Sequence, residues 1–157
     1  MTCRFHSEKI VPRAAKLLFG FALSLCAPFA AAQNNLGELL DAGGKRLSVE
    51  EFKLEVVQHV IVGPTASGSS LELIYTTNGH VSGKGLSPAG HVNTGTIDGE
   101  WKVDDSGRVC TTMRVVGSSQ LALPARCQFL FKYKDAYFFV DSDTDRQARA
   151  LRRTVKQ

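Results

Sequence analysis

Two hydrophobic rhythms follow one another along the chain after residue 33. Leu36, Leu39 and Leu40 fall at the spacing of a short amphipathic helix, and Gly43-Gly44 supplies residues able to end it. A second helix is better marked. Ser48 and Glu51 have the spacing of a capping box, and Leu47 and Phe52 stand at the two positions of a hydrophobic staple. Val49, Phe52, Val56 and Val60 then share one face, which predicts a helix from residue 49 to about residue 59 lying on a sheet. From Leu71 the period becomes two. Leu71, Leu73 and Tyr75 alternate with Glu72 and Ile74, and Asn78-Gly79 offers a type I′ turn into His80-Val81-Ser82. Residues 83–95 (GKGLSPAGHVNTG) carry no period and read as a glycine-rich, mobile loop. Strands are expected after it at 96–103, 108–116, 126–133 and 136–140.

Turn chemistry gives these strands a register. With Asp104-Asp105-Ser106-Gly107 as a four-residue loop, Val103 faces Arg108 and Trp101 faces Cys110. With Gly117 to Gln120 as the next loop, Val116 faces Leu121 and Cys110 faces Cys127. Trp101, Cys110 and Cys127 then stand on one face of three neighbouring strands, together with Phe129, Phe131, Phe138 and Val140. Val109, Met113, Val115, Leu130 and Phe139 occupy the other face. Since both faces are partly apolar, a helix should cover one while the sheet curls or closes on the other. Two readings compete for the last segment. Ser142 and Asp145 can cap a helix with Ala148, Leu151 and Val155 inward and Arg149, Arg152 and Arg153 outward, or 151–155 is a terminal strand. The meander's need for a final edge partner favours the strand. The expected fold is α+β: short N-terminal helices packed on a curled antiparallel β-meander of about six strands, with one disulfide.

Composition changes the picture at the N-terminus. Arg4, Lys9, Arg13 and Lys16 precede an apolar run from Leu17 to Phe29, and Ala30-Ala31-Ala32 supplies small residues before Gln33. That is the plan of a cleaved export signal, with a run too short to span a bilayer comfortably. Leu23-Ser24-Leu25-Cys26 is rejected as a lipoprotein anchor because Leu25 stands where a small residue is wanted. Residues 1–32 are therefore expected to be a signal peptide and 33–157 a single small domain, periplasmic or secreted, with its mature start near Gln33. The formal charge of the whole chain is +4, but the leader holds four of the basic residues and only Glu8 among the acids. From Gln33 onward fifteen Lys and Arg meet fourteen Asp and Glu, so charge gives no argument for nucleic-acid binding. Cys3 and Cys26 leave with the leader. Cys110 and Cys127 remain as an even pair in an oxidising compartment and read as a structural disulfide. It closes a loop of about 18 residues, worth on the order of 3 kcal/mol in the chain-entropy model. The Cys-x-x-Cys spacing of a redox pair is absent, and Trp101 reads as core packing against the bridge.

Candidate chemistry is sparse. Asp141-Ser142-Asp143-Thr144-Asp145 imitates the start of a calcium loop, but Arg146 replaces the turn glycine and Arg152 the closing Glu, so an acidic turn or helix cap is preferred. His59, His80 and His91 fit no zinc spacing, and no metal site or cofactor is expected. His80 and His91 flank or occupy the glycine-rich loop and are placed as residues of a pocket mouth, with solvated loop histidines as the blander reading. Gly79-His80-Val81-Ser82-Gly83-Lys84 is one residue short of a phosphate loop and is discarded. No Gly-x-Ser-x-Gly elbow, His-Glu-x-x-His helix or free cysteine nucleophile is present. Arg146, Arg149, Arg152 and Arg153 with Lys156 form a basic cluster suited to an acidic partner or envelope surface, or simply to a solvated face.

The stretch Gly99-x-Trp101-x-Val103-Asp104-Asp105-x-Gly107-Arg108-x-Cys110, followed by Cys127, resembles a family of exported proteobacterial domains catalogued as domain of unknown function 995. Leu47-Ser48-x-x-Glu51 and Asn78-Gly79 precede it in the order that family shows, so the resemblance covers nearly all of the chain after the leader. It implies an exported domain and supplies no catalytic residue. The function expected is a non-catalytic periplasmic or secreted binding module, with an envelope or protein partner or a small apolar ligand. The rivals are a small hydrolase with an unrecognised triad using His80 or His91 as base, and an envelope-associated structural protein.

Overall fold

The computed structural model describes residues 34–65, 68–86, 93–116 and 121–156, so the expected leader lies outside the described residues. Two short helices open the described chain. α1 (Leu36–Asp41) is capped by Asn35, whose side chain accepts from the Glu38 amide. A two-residue strand, β1 (Lys45–Arg46), leads to α2 (Val49–Glu55). Its capping box is complete, the Ser48 amide donating to Glu51 Oε2 at 2.7 Å and the Glu51 amide donating to Ser48 Oγ at 3.2 Å.

Strands make up the rest: β2 (Val60–Pro64), β3 (Ser70–Tyr75), β4 (His80–Leu86), β5 (Asn93–Val103), β6 (Val109–Val116), β7 (Leu121–Ala122), β8 (Arg126–Tyr133), β9 (Ala136–Val140) and β10 (Ala150–Val155). Each long strand pairs antiparallel with the next, β10 returns to β2, and β6 pairs with β8. The result is an eight-stranded closed antiparallel barrel, with β1 and β7 as short additions. This corrects the expected six-strand meander carrying helices. Two misreadings account for it. Val60 continues the helical period of Phe52 and Val56, yet the helix stops at Glu55, and Gln58 reverses the chain with φ 69° so that Val60–Pro64 runs as a strand. That strand is the partner β10 needs for closure, through Thr154↔Val62 and Val155↔Ile61. The glycines of 83–95 belong largely to β4 and β5, where Gly83↔Ile97 and Gly85↔Gly95 are paired, and only 87–92 falls outside the described residues.

Alternation along the strands divides the apolar residues into two clusters. Ile61, Leu73, Tyr75, Val81, Ile97, Val109, Leu130, Phe139 and Leu151 fill the barrel with Phe52, Val56 and Val57 of the α2 region, which close one end. Glu55 ties α2 to the rim, its Oε2 accepting from Lys132 Nζ at 2.6 Å and the Tyr137 hydroxyl at 3.0 Å. Outside the wall, Leu36 and Leu39 of α1 are fully buried against Phe129, Phe131, Phe138, Val140 and Ala150. Each helix thus covers a different surface of the same sheet.

The disulfide Cys110–Cys127 joins β6 to β8 on the outer face, the two residues directly opposite each other. Trp101 does not share that face. It pairs with Thr111, and Lys102 pairs with Cys110, one residue away from the expected register. The turn is the reason. Asp104 N donates to Arg108 O, leaving Asp105-Ser106-Gly107 as a three-residue loop with Gly107 at φ 79°. A slip of one residue exchanges the faces of a strand, so Trp101 packs inside. There it lies edge-on to Phe52 at 5.3 Å, and its indole N–H donates to Thr76 O at 3.0 Å.

Removing the staple through Cys110→Ala with Cys127→Ala is expected to lower the unfolding free energy by about 3 kcal/mol; an unchanged urea midpoint would show that the seam holds without it. A second prediction concerns the Asp104 turn. The Ser106 hydroxyl, then the Arg108 amide, hold the Asp104 carboxyl well below the usual carboxylate range. A free aspartate titrates near about 4, so the turn contributes stability above that value and loses it as pH falls toward the lower folded one. Asp104→Asn should therefore flatten the acid limb of stability against pH. Parallel limbs for both proteins would remove the turn from acid sensitivity.

Candidate functional site

Side-chain size is unevenly distributed inside the barrel. Near α2 the inward positions are large, with Tyr75, Trp101 and Tyr137 around Phe52. Toward the opposite end they shrink. Gly85 faces Gly95, and a Cβ at Gly95 would stand 2.5 Å from Val115 Cγ1 on a backbone of φ 153°. A cavity of about 390 Å³ remains there. Its walls are apolar over Leu71, Leu73, Ile97, Met113, Val115 and Phe139. The polar lining includes Thr111, Gln128, Arg126 and Arg153, and no Asp or Glu lines it among the described residues.

Arg153 is the unusual member. It is 7 % exposed, and none of its contacts among the described residues is a carboxylate. Nη1 donates to the carbonyl of Pro64 and, at 3.3 Å, to that of Arg152, while the guanidinium lies 5.9 Å from the Phe139 ring centre. The fold makes room for this side chain. A Cβ on Gly63, the neighbouring position of β2, would stand 2.9 Å from Arg153 Cδ. Burial pushes the Arg153 guanidinium down to about 10 and the Tyr75 phenol beside it up to about 12. At neutral pH the cavity wall therefore holds a cation whose desolvation no carboxylate of the described residues offsets.

The residues singled out in the sequence lie elsewhere. Cys110 and Cys127 stand on the outer wall, Phe129, Phe131 and Phe138 pack there under α1, and Trp101 lies inside but toward α2. His80 is on the outer surface with Nε2 3.4 Å from Asp98 Oδ1, where it lines a second, open pocket with Glu100, Trp101 and Cys110 rather than the barrel cavity, and His91 lies outside the described residues. The acidic segment is spent on protein contacts: Asp141 accepts from Gln128, Asp143 pairs with Arg46 at 2.6 Å, and Asp145 accepts from the Gln147 amide. The basic cluster is dispersed. Arg146 pairs with Asp41, Lys156 with Glu72, and Arg153 turns inward. Asp104, Cys110 and Cys127 have potential ligand atoms within 4.8 Å of one another, but the disulfide removes both thiolates a metal would need. Among the described residues no helix is long and apolar enough to cross a membrane. No known protein family, curated protein or solved structure matches the chain.

Sequence reasoning placed Arg153 in a solvated cluster. The signal that finds it is parity: on a strand, Arg153 shares a face with Leu151 and Val155. Because this cation has no carboxylate partner to strand among the described residues, Arg153→Met is expected to leave the ligand-free protein equally stable or up to about 2 kcal/mol more stable. A clear loss of stability in urea unfolding would mean that the guanidinium serves the fold.

Proposed function

We propose that the protein is a non-catalytic binding module that holds a small, largely apolar molecule inside its barrel. The cavity carries this reading: an apolar chamber of about 390 Å³ with a few convergent polar groups, in the size range of small-molecule sites. Barrels of eight strands have interiors just wide enough to be filled by side chains or to hold one small ligand, and the small inward residues at one end favour the second use here. The leader-like N-terminus and the cysteine pair support a periplasmic or secreted location. Outward positions support an aqueous setting, since Glu72, Lys84, Asp98 and Arg114 form ion pairs on the outer wall where a lipid-facing barrel carries an apolar band.

The test is titration of the domain from Gln33 onward with the neutral fluorophore N-phenyl-1-naphthylamine. Met113 lines the chamber, so Met113→Trp should fill part of it and weaken binding about tenfold or more, with circular dichroism unchanged. Absence of binding, or binding indifferent to this substitution, would defeat the proposal.

A further inference from the structure

Arg153 has donors that the described residues leave unused. Nη1 is committed to the carbonyls of Pro64 and Arg152, whereas Nε and Nη2 form no hydrogen bond with the described residues. Among the described residues no fully buried side-chain nitrogen or oxygen is left without a partner, so these two donors reach space that a water molecule can occupy. Arg153 borders the cavity and is 7 % exposed. Nε–H and the adjacent Nη2–H point the same way along one edge of the guanidinium. That edge is the fork that grips a carboxylate through two parallel hydrogen bonds. With Arg126 also on the lining and no acid among its described residues, the chamber combines apolar walls with a positive potential.

We propose that the cavity takes a carboxylate-bearing amphiphile, its head group held by the Nε–Nη2 edge of Arg153 and its tail against Leu71, Ile97, Met113 and Val115. This rests on the reading of the barrel as a small-molecule binder. An anion at that edge offsets the desolvation of the guanidinium, and a tail without charge matches the walls. Gly63 and Pro64 are part of the device, the first leaving room for the Arg153 stem and the second fixing the far side of the guanidinium through its carbonyl.

The experiment compares decanoate with 1-decanol by calorimetric titration at neutral pH, in the wild type, Arg153→Met and Arg153→Lys. The wild type should bind decanoate about tenfold or more tightly than decanol. Arg153→Met should abolish that difference, and Arg153→Lys, a point charge without the fork, should narrow it. Equal wild-type affinities would overturn the carboxylate anchor and leave the binding function standing. A preference for decanoate that survives in folded Arg153→Met would overturn the assignment to Arg153. If neither compound binds, both the anchor and the proposed function fall. Should Arg153→Met not fold, the wild-type comparison and Arg153→Lys decide the matter.

Discussion

Closure of the sheet between β6 and β8 is the constraint on which the structure depends. Only three residue pairs join these strands directly, Val109↔Gln128, Cys110↔Cys127 and Thr111↔Arg126. β6 extends its pairing through β7, and past residue 128 the flank of β8 is taken by β1 and by the Leu47 amide donating to Leu130 O. A seam this short has little ladder to hold it, and the disulfide sits at its middle pair. Once it closes, every long strand has a neighbouring strand on both sides, and the inward residues enter one shared interior. Had the seam stayed open, the glycines and arginines of the far end would face water and enclose nothing.

The two ends of that interior are built for different tasks. Phe52, Tyr75 and Trp101 meet edge-to-face near α2, and Glu55 binds Lys132 and Tyr137 across the rim, so that end is solid. The other end trades packing for space, with Gly85 opposite Gly95 and Arg153 held against Pro64. A protein selected only for stability would place larger apolar residues there. Retaining an unfilled chamber and a desolvated cation departs from local packing rules in the manner of a functional site.

Much of this was legible in the sequence, and the failures have physical causes. The capping box at Ser48 and Glu51 and the pairing of the two cysteines followed from local chemistry. So did the division of Val109, Met113, Leu130 and Phe139 from Phe129, Phe131 and Phe138 between faces. Trp101 was assigned to the wrong face because a three-residue and a four-residue loop differ by one residue, which is half the period of a strand. β2 was hidden because Val60 satisfies a helical period as well as a strand. Closure has no local signature, since besides β6 meeting β8 it needs β10 to meet β2 across nearly the whole described chain. The cavity was illegible for the same reason: Gly85 and Gly95 suggest a loop until register sets them opposite each other in a wall.

In the proposed function the ligand lies inside the closed barrel, at the end away from α2. From Gln33 onward Met113 is the only methionine, and it lines the chamber. Methyl-labelled methionine therefore places a single NMR reporter inside. With decanoate bound, nuclear Overhauser effects are expected between the Met113 methyl group and the ligand chain. Their absence, with ligand contacts instead at exposed Leu40 or Leu54 on the outer surface, would contradict it.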